Sequence, residues 1–279
     1  MFPATGYVPK QKPALMGIVN TTGDSFSEGA LSSSKDALAR ALRLLEDGAD
    51  MLDLGGESTR PGAIEVPEQE EIRRLGTLVS ELKKRHPEIP VSVDTRHAET
   101  ARLMLDMGAD IINDVSMLRF DRKMADVIAE NKKSIIILCH SRGTPQNMNL
   151  PEHCNYGSSV LRTVCKELEE AAASSGIEPE RIWFDPGFGF AKTVEQQLEL
   201  LRETKRFTGN FPCTVYGVSR KSFIGKITGV ENPQERTAGT LACELYLAGC
   251  GVNVIRTHNV KALKEALAVQ NAITKTTGE

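Results

Sequence analysis

Two kinds of chemistry-bearing side chain stand at the ends of short apolar runs in this chain of 279 residues. The first set is acidic or neutral: Asp94, Asn113 and Asp185. Carboxylates and amides that face a pocket pair with the N–H donors of a nitrogen heterocycle, such as an aminopyrimidinone edge, and discriminate by hydrogen-bond matching. Helix capping or a core ion pair is the competing reading for Asp94 and Asp185. The second set is cationic: Arg60, Arg220, Lys221, Arg256 and His258. Arginine offers phosphate a planar fork and lysine a point charge. Asn259 follows His258 and is placed to cap the last helix, whose N-terminal dipole would favour an anion there. A single loop arginine is usually a solvated surface residue, but here four loops contribute.

The elements that must position these residues are short β-branched runs alternating with longer amphipathic ones. Eight runs read as strands: Leu15–Val19, Met51–Leu54, Val91–Val93, Ile111–Ile112, Ile135–Leu138, Ile182–Phe184, Thr214–Tyr216 and Val252–Ile255. Helical periodicity lies between them, over Lys35–Glu46, Glu68–Arg85, Ala98–Met107, Lys123–Asn131, Ser158–Ser174, Val194–Arg206, Gln234–Ala248 and Ala262–Ile273. Gly48-Ala49-Asp50, Gly108-Ala109-Asp110 and Gly251-Val252-Asn253 each precede a strand, with the glycine suited to a left-handed helix C-cap. Alternation of this kind means βαβ units and a parallel sheet. Eight units predict an α/β chain of one domain over 1–279, a (β/α)8 TIM barrel with its core at about 14–273. An open doubly wound sheet is the alternative, weakened because no G-x-G-x-x-G opens the first helix. All the polar strand ends then meet at one mouth, and the loops after the seventh and eighth strands are where barrels commonly hold phosphate. The first two βα loops, from Asn20 to Gly29 and from Gly55 to Val66, are long and suit lids or binding loops. Gly187 to Thr193 only superficially suggests a phosphate-binding P-loop, since Ala191 and Pro186 occupy the positions where that motif requires glycine.

Composition narrows the class. There are 34 basic and 37 acidic residues, a net charge of −3, which argues against a nucleic-acid partner bound by bulk charge. No apolar stretch approaches the ~18 residues of a membrane span, and the first ten residues lack the pattern of a signal peptide. Six cysteines without C-x-x-C spacing, several in apolar runs, suit reduced thiols in the cytoplasm. The five histidines form no i, i+3 or i, i+4 pair, so zinc is not expected.

Seven ordered blocks resemble the dihydropteroate synthase family from about Leu15 to Ala272: MGIVNTTGDSFSEG (16–29), DLGGESTRPGA (53–63), SVDTR (92–96), INDV (112–115), DPGFGFAKT (185–193), GVSRKSFIG (217–225) and RTHNV (256–260). The resemblance implies a transferase of folate biosynthesis. It would condense 6-hydroxymethyl-7,8-dihydropterin pyrophosphate with para-aminobenzoate, releasing pyrophosphate and 7,8-dihydropteroate. It implies a pterin site at Asp94, Asn113, Asp185 and Lys221. It implies a pyrophosphate site at Asn20, Thr59, Arg60, Arg256 and His258, with Asn20 a ligand of Mg²⁺. The para-aminobenzoate site would comprise Phe26, Thr59, Arg60, Pro61, Phe188, Phe190 and Ser222. Asp94, Lys221, Asn20, Arg256 and His258 would carry the chemistry, in an SN1-like order, and the enzyme would be a cytoplasmic homodimer and a sulfonamide target. Three departures touch the pattern: Gly23 where proline is usual, Cys139-His140-Ser141 for a Met-His-Met-like segment, and Thr257 between Arg256 and His258. Two other readings share parts of the site. A pterin-binding methyltransferase barrel has no need of the cationic cluster, and a non-catalytic pterin-binding module would be expected to lose Asn20 or Arg60.

Overall fold

The computed structural model describes residues 13–21, 34–57 and 65–274. Eight strands form one parallel sheet: β1 (Ala14–Asn20), β2 (Met51–Gly55), β3 (Val91–Asp94), β4 (Ile111–Asp114), β5 (Ile135–Cys139), β6 (Ile182–Asp185), β7 (Val215–Tyr216) and β8 (Val254–Thr257). Their order is β6-β5-β4-β3-β2-β1-β8-β7. A parallel bridge between Phe184 and Thr214 joins β6 to β7 and closes the ring. The TIM-barrel expectation is met.

Buried strands fill both faces of such a sheet, which is why the runs are apolar without interruption. One face of alternate residues fills the barrel with Met16, Met51, Ile111, Ile135, Ile137, Trp183, Val215 and Val254. The other packs beneath the helices, for example Leu52, Leu54, Val93, Ile112 and Ile136. Side chains two residues apart share a face. Following the inward face toward the strand ends therefore leads from Met51 to Asp53, from Ile111 to Asn113, from Trp183 to Asp185 and from Val254 to Arg256. The interior turns from apolar to polar within one pleat.

The Gly-Ala-Asp recurrence has a mechanical role at the opposite end. Gly48, Gly108 and Gly251 have φ of 96°, 103° and 83°, reversing the chain after a helix. Two residues later, the Asp50 carboxylate accepts from the Leu15 amide at 2.8 Å, and that of Asp110 from the Val91 amide at 2.9 Å. The Asn253 side-chain oxygen accepts from the Thr214 amide at 2.9 Å. Each closes the first open donor of a neighbouring strand and fixes its register.

Ten α-helices surround the barrel among the described residues: α1 (Ser34–Glu46), α2 (Glu68–Arg85), α3 (Ala98–Asp106), α4 (Met124–Glu130), α5 (Val160–Ser174), α6 (Val194–Arg202), α7 (Thr204–Asn210), α8 (Ser222–Thr228), α9 (Thr237–Gly249) and α10 (Val260–Thr274). The single helix expected over Val194–Arg206 is two, because Glu203 at φ −92° and ψ 11° leaves the helical region. The seven-residue α8 was not expected, and β8 starts at Val254 rather than Val252. Asn259 caps α10 as read, its side chain accepting from the Ala262 amide at 3.2 Å. No described helix is long and apolar enough to cross a membrane.

Candidate active site

A cleft of about 370 Å³ opens at the C-terminal mouth of the barrel. Asp94, Asn113, Cys139 and Asp185 line it from β3, β4, β5 and β6, and Asn20 lines it from β1. Phe188, Phe190, Ser219, Lys221, Arg256 and His258 are also part of the wall. Apart from Arg60, which lies outside the described residues, the two sets separated by residue type thus meet in one cavity.

Beneath its floor, the Arg256 guanidinium joins two carboxylates. Its Nε donates to Asp53 at 2.5 Å and an Nη donates to Asp94 at 3.0 Å. Asp53 also accepts from the Ser92 hydroxyl at 2.6 Å and from the Asn113 amide at 3.3 Å. Asp53 therefore orients Asn113 and Arg256 together. Its signal in the sequence was a carboxylate inside the buried run Met51–Gly55, which stood outside the expected site. Arg256, expected at the pyrophosphate and among the residues that carry the chemistry, is tied to Asp94 of the pterin set as well.

This arrangement leaves acceptors facing the cleft. Asp94 Oδ1 and Asn113 Oδ1 are buried and have no hydrogen-bond partner among the described residues. A buried acceptor without a donor is costly, so both suit a ligand that brings N–H groups. Burial raises the Asp94 carboxyl to about 7, with Arg256 opposing and Asp53 adding to the rise. Burial also raises Asp185, opposed by the Gly187 amide, which donates to Asp185 Oδ1 at 2.7 Å. Asp185 thus both holds its own loop and faces the cavity.

The rim supplies the charge. Lys221 Nζ lies 4.6 Å from the centre of the Phe190 ring, a cation on an aromatic face. His258 is held by Ser219, whose hydroxyl meets both the His258 amide at 3.2 Å and Nδ1 at 3.0 Å. Arg40 of α1 donates to the His258 carbonyl at 2.6 Å. Arg220 adopts a left-handed backbone with φ of 60°, its amide donating to Thr240 and its carbonyl accepting from Arg236. Ser222 starts α8 at the cleft. Phe188 is almost wholly buried, its ring 5.7 Å from that of Tyr216 and 5.9 Å from that of Phe223, so Phe190 is the more open of the two phenylalanines. Thr257 is buried, and its hydroxyl accepts from the Asn259 amide. Phe26, Thr59, Arg60 and Pro61 lie outside the described residues, as does Gly23. Glu57, at the stem of the second loop, lines the cleft and pairs with Arg96 at 3.0 Å.

The donor set also bears on magnesium. Among the described residues no group of three His, Cys, Asp or Glu side chains could hold a metal ion. Mg²⁺ commonly takes one or two protein oxygens and fills its shell with water and substrate phosphates, and one Asn20 amide oxygen at the cleft fits that mode.

Fold and cleft together define an α/β barrel whose mouth gathers open hydrogen-bond acceptors and cations in one cleft. Comparison with known proteins gives the family. The sequence pattern of the pterin binding enzymes matches residues 16–258. A dihydropteroate synthase of Synechocystis is 42% identical over 267 residues, covering 93% of this chain and 89% of its own. One from Neisseria meningitidis serogroup B is 41% identical over 271 residues, covering 94% and 93%. Among solved structures, the Xanthomonas albilineans dihydropteroate synthase with 4-aminobenzoic acid superposes with a TM-score of 0.85 at 37% identity, over 95% of this chain and 94% of that one. The Yersinia pestis dihydropteroate synthase with a sulfonamide drug complex gives 0.86 at 35%, covering 94% of each. The chain belongs to the dihydropteroate synthase family of pterin binding enzymes.

Proposed function

We propose that this chain condenses 6-hydroxymethyl-7,8-dihydropterin pyrophosphate with para-aminobenzoate to form 7,8-dihydropteroate and pyrophosphate. One observation carries the reading: the open acceptors of Asp94 and Asn113 share one cleft with Asp185 and with the cations Lys221, Arg256 and His258. The floor matches the amino and ring N–H groups of a pterin. The rim matches its pyrophosphate.

In the reaction, the CH2–O bond breaks toward the pyrophosphate, which gathers negative charge while the pterin methylene becomes cationic. His258 and the rim cations stabilise the first from fixed positions, as preorganised charges do. Asp94, once ionised, stabilises the second. The aniline nitrogen then attacks the methylene, needing no base beforehand, and the anilinium formed gives its proton to the departing pyrophosphate or to water. Phe190 offers the arriving ring an aromatic wall, and Ser222 places the start of α8 beside it. We assign Thr59, Arg60, Phe26 and Pro61 to the pyrophosphate and para-aminobenzoate sites on the resemblance of their blocks. Asn20 would hold Mg²⁺, which, when bound with the pyrophosphate, neutralises leaving-group charge. Relatives support the substrate pair: one solved structure of the Xanthomonas protein holds 7,8-dihydropteroate.

Two further assignments accompany this reading. The cysteines present in the described chain are all unpaired, which suits the cytoplasm. A homodimer would cover the exposed Tyr246 of α9 and Val269 and Ile273 of α10, whereas Glu244 and Leu247 of α9 face inward. Light scattering at micromolar concentration tests the dimer. The test of function is pyrophosphate release from the two substrates, with and without Mg²⁺. Release that requires both substrates and rises with Mg²⁺ is expected. A folded protein that releases none refutes the reading.

A further inference from the structure

The segment Gly187 to Lys192, which lacks the glycines of a P-loop, carries a left-handed alanine at the mouth of the barrel. Gly187, Gly189 and Ala191 alternate at φ of 74°, 82° and 47°. A left-handed alanine costs roughly 1–2 kcal/mol and persists only where its surroundings fix it. What fixes it is Lys192, a lysine only 6% exposed. Its Nζ lies 3.0 Å from the Gly187 carbonyl, 3.1 Å from the Phe190 carbonyl, 3.0 Å from His140 Nδ1 and, more distantly, 3.4 Å from the His140 carbonyl. An ammonium has three donors and no acceptor, so its protons go to the three nearer acceptors. His140 Nδ1 must then be unprotonated, which puts its proton on Nε2, 3.2 Å from Glu167.

We infer that Lys192 is a positioning residue: its ammonium, seated on His140, draws the carbonyls of Gly187 and Phe190 together and so sets the wall beside Asp185 and Lys221. It touches no substrate. Its effect passes through Phe190, whose ring carries the Lys221 cation, and through Gly187, whose amide holds Asp185.

A second consequence follows from the proton count. A neutral amine donates only two hydrogen bonds, and its lone pair would face the third acceptor. Burial lowers Lys192 to about 7, with Cys139 and Asp185 raising it, Arg142 lowering it and Glu167 raising it. Tyr156, 5.6 Å from Nζ, and Cys154 also face it from the segment before α5. His140 stays neutral, lowered to about 3 by burial and by Lys192. The loop therefore loosens as pH rises past neutrality.

The inference rests on the proposed activity, and the experiment separates the two. Steady-state rates are measured between about pH 6 and pH 9 for the wild type and Lys192→Met, together with free-pterin affinity by calorimetry. The wild type should show a falling alkaline limb in kcat/KM. Lys192→Met should be roughly 10–100-fold lower in kcat/KM near neutral pH and lack that limb. A variant with wild-type kcat/KM, or with the limb retained, overturns the inference. If Lys192→Met does not fold, the pair His140→Asn and His140→Leu decides. The asparagine oxygen can stand in for Nδ1 and should keep activity and limb, whereas leucine should lose both; equal behaviour overturns the inference. A wild type that turns over nothing yet binds pterin with the same alkaline loss, absent in Lys192→Met, refutes the activity and upholds Lys192.

Discussion

Arg256 and Asp53, 203 positions apart in the chain, are joined by a 2.5 Å hydrogen bond from Nε to a carboxylate oxygen. The bond links β8 to β2 across the inside of the barrel, and a second from the same guanidinium reaches Asp94 on β3. One cation thus serves two buried carboxyl groups. Cutting it out exposes both carboxylates to an uncompensated low-dielectric site.

Arg256→Ala should accordingly lose more than its contact with pyrophosphate. Stability should fall by about 3 kcal/mol or more, the usual cost of leaving buried partners unpaired. Free-pterin affinity should fall too, because Asp94 loses its orientation. Urea unfolding and calorimetry with free pterin check both. Unchanged pterin affinity would place Arg256 at the leaving group alone.

Asp94 sets a pH dependence on the opposite side of neutrality from Lys192. Its carboxyl stands at about 7, above the ordinary 3.8, because burial disfavours the anion. The folded protein therefore holds a proton that the unfolded chain has released. This carboxyl's contribution to stability is full below about 4 and is lost as pH rises toward 7. Pterin binding runs the other way, since the anion is the acceptor. Affinity for free pterin should strengthen as pH rises toward 7 in the wild type and stay flat in Asp94→Asn. Calorimetry across that range decides, and a slope shared by both proteins would assign the effect to another group.

Asp185→Asn separates recognition from loop structure. The asparagine oxygen can still accept from the Gly187 amide, so the melting temperature should change little. Pterin affinity should drop by about tenfold or more, since a charge-assisted hydrogen bond becomes a neutral one. A large loss of melting temperature with affinity retained would make Asp185 a loop brace only.

Gly187→Ala tests how tightly β5 and β6 interlock. A Cβ there would lie 1.8 Å from the His140 carbonyl oxygen, on a backbone already at φ of 74°. Destabilisation of about 3 kcal/mol or more is expected, because neither strand end can retreat. Gly176→Ala is the control. Its φ of 70° is similar but nothing lies within 4 Å, so only the backbone cost of roughly 1–2 kcal/mol should appear. Equal losses in chemical denaturation would show that conformation, not the clash, dominates at Gly187.

The strands were legible because buried parallel strands read as apolar runs, and Ile135–Cys139 or Ile111–Asp114 admit little else. Periodicity ran through Glu203 unbroken because the buried positions of α6 (Gln197, Leu200, Leu201) and of α7 (Thr204, Phe207) continue one helical spacing. The break is local: the Thr204 hydroxyl donates to the carbonyls of Leu200 and Leu201. The seven-residue α8 was too short to show a stripe. At the site, residues at strand ends were legible from type and position. Asp53 was not, since it acts from within a strand, and neither was the Lys192–His140–Glu167 series, whose members are 52 and 27 residues apart. Contacts made only by ring closure leave no spacing to read.

The closure itself is uneven. Strand β7 has two residues, and its junction with β6 rests on the Phe184–Thr214 bridge, a 3.0 Å bond from the Phe184 amide to the Cys213 carbonyl and the stacked rings of Phe184 and Phe211. This is the barrel's thinnest seam, the place where the cylinder would breathe. Asp185 stands at the end of one bordering strand and Lys221 beyond the other. A ligand gripped by both would tie the seam from above, so occupancy of the cleft would slow amide exchange along β6 and β7 far more than along the clamped base.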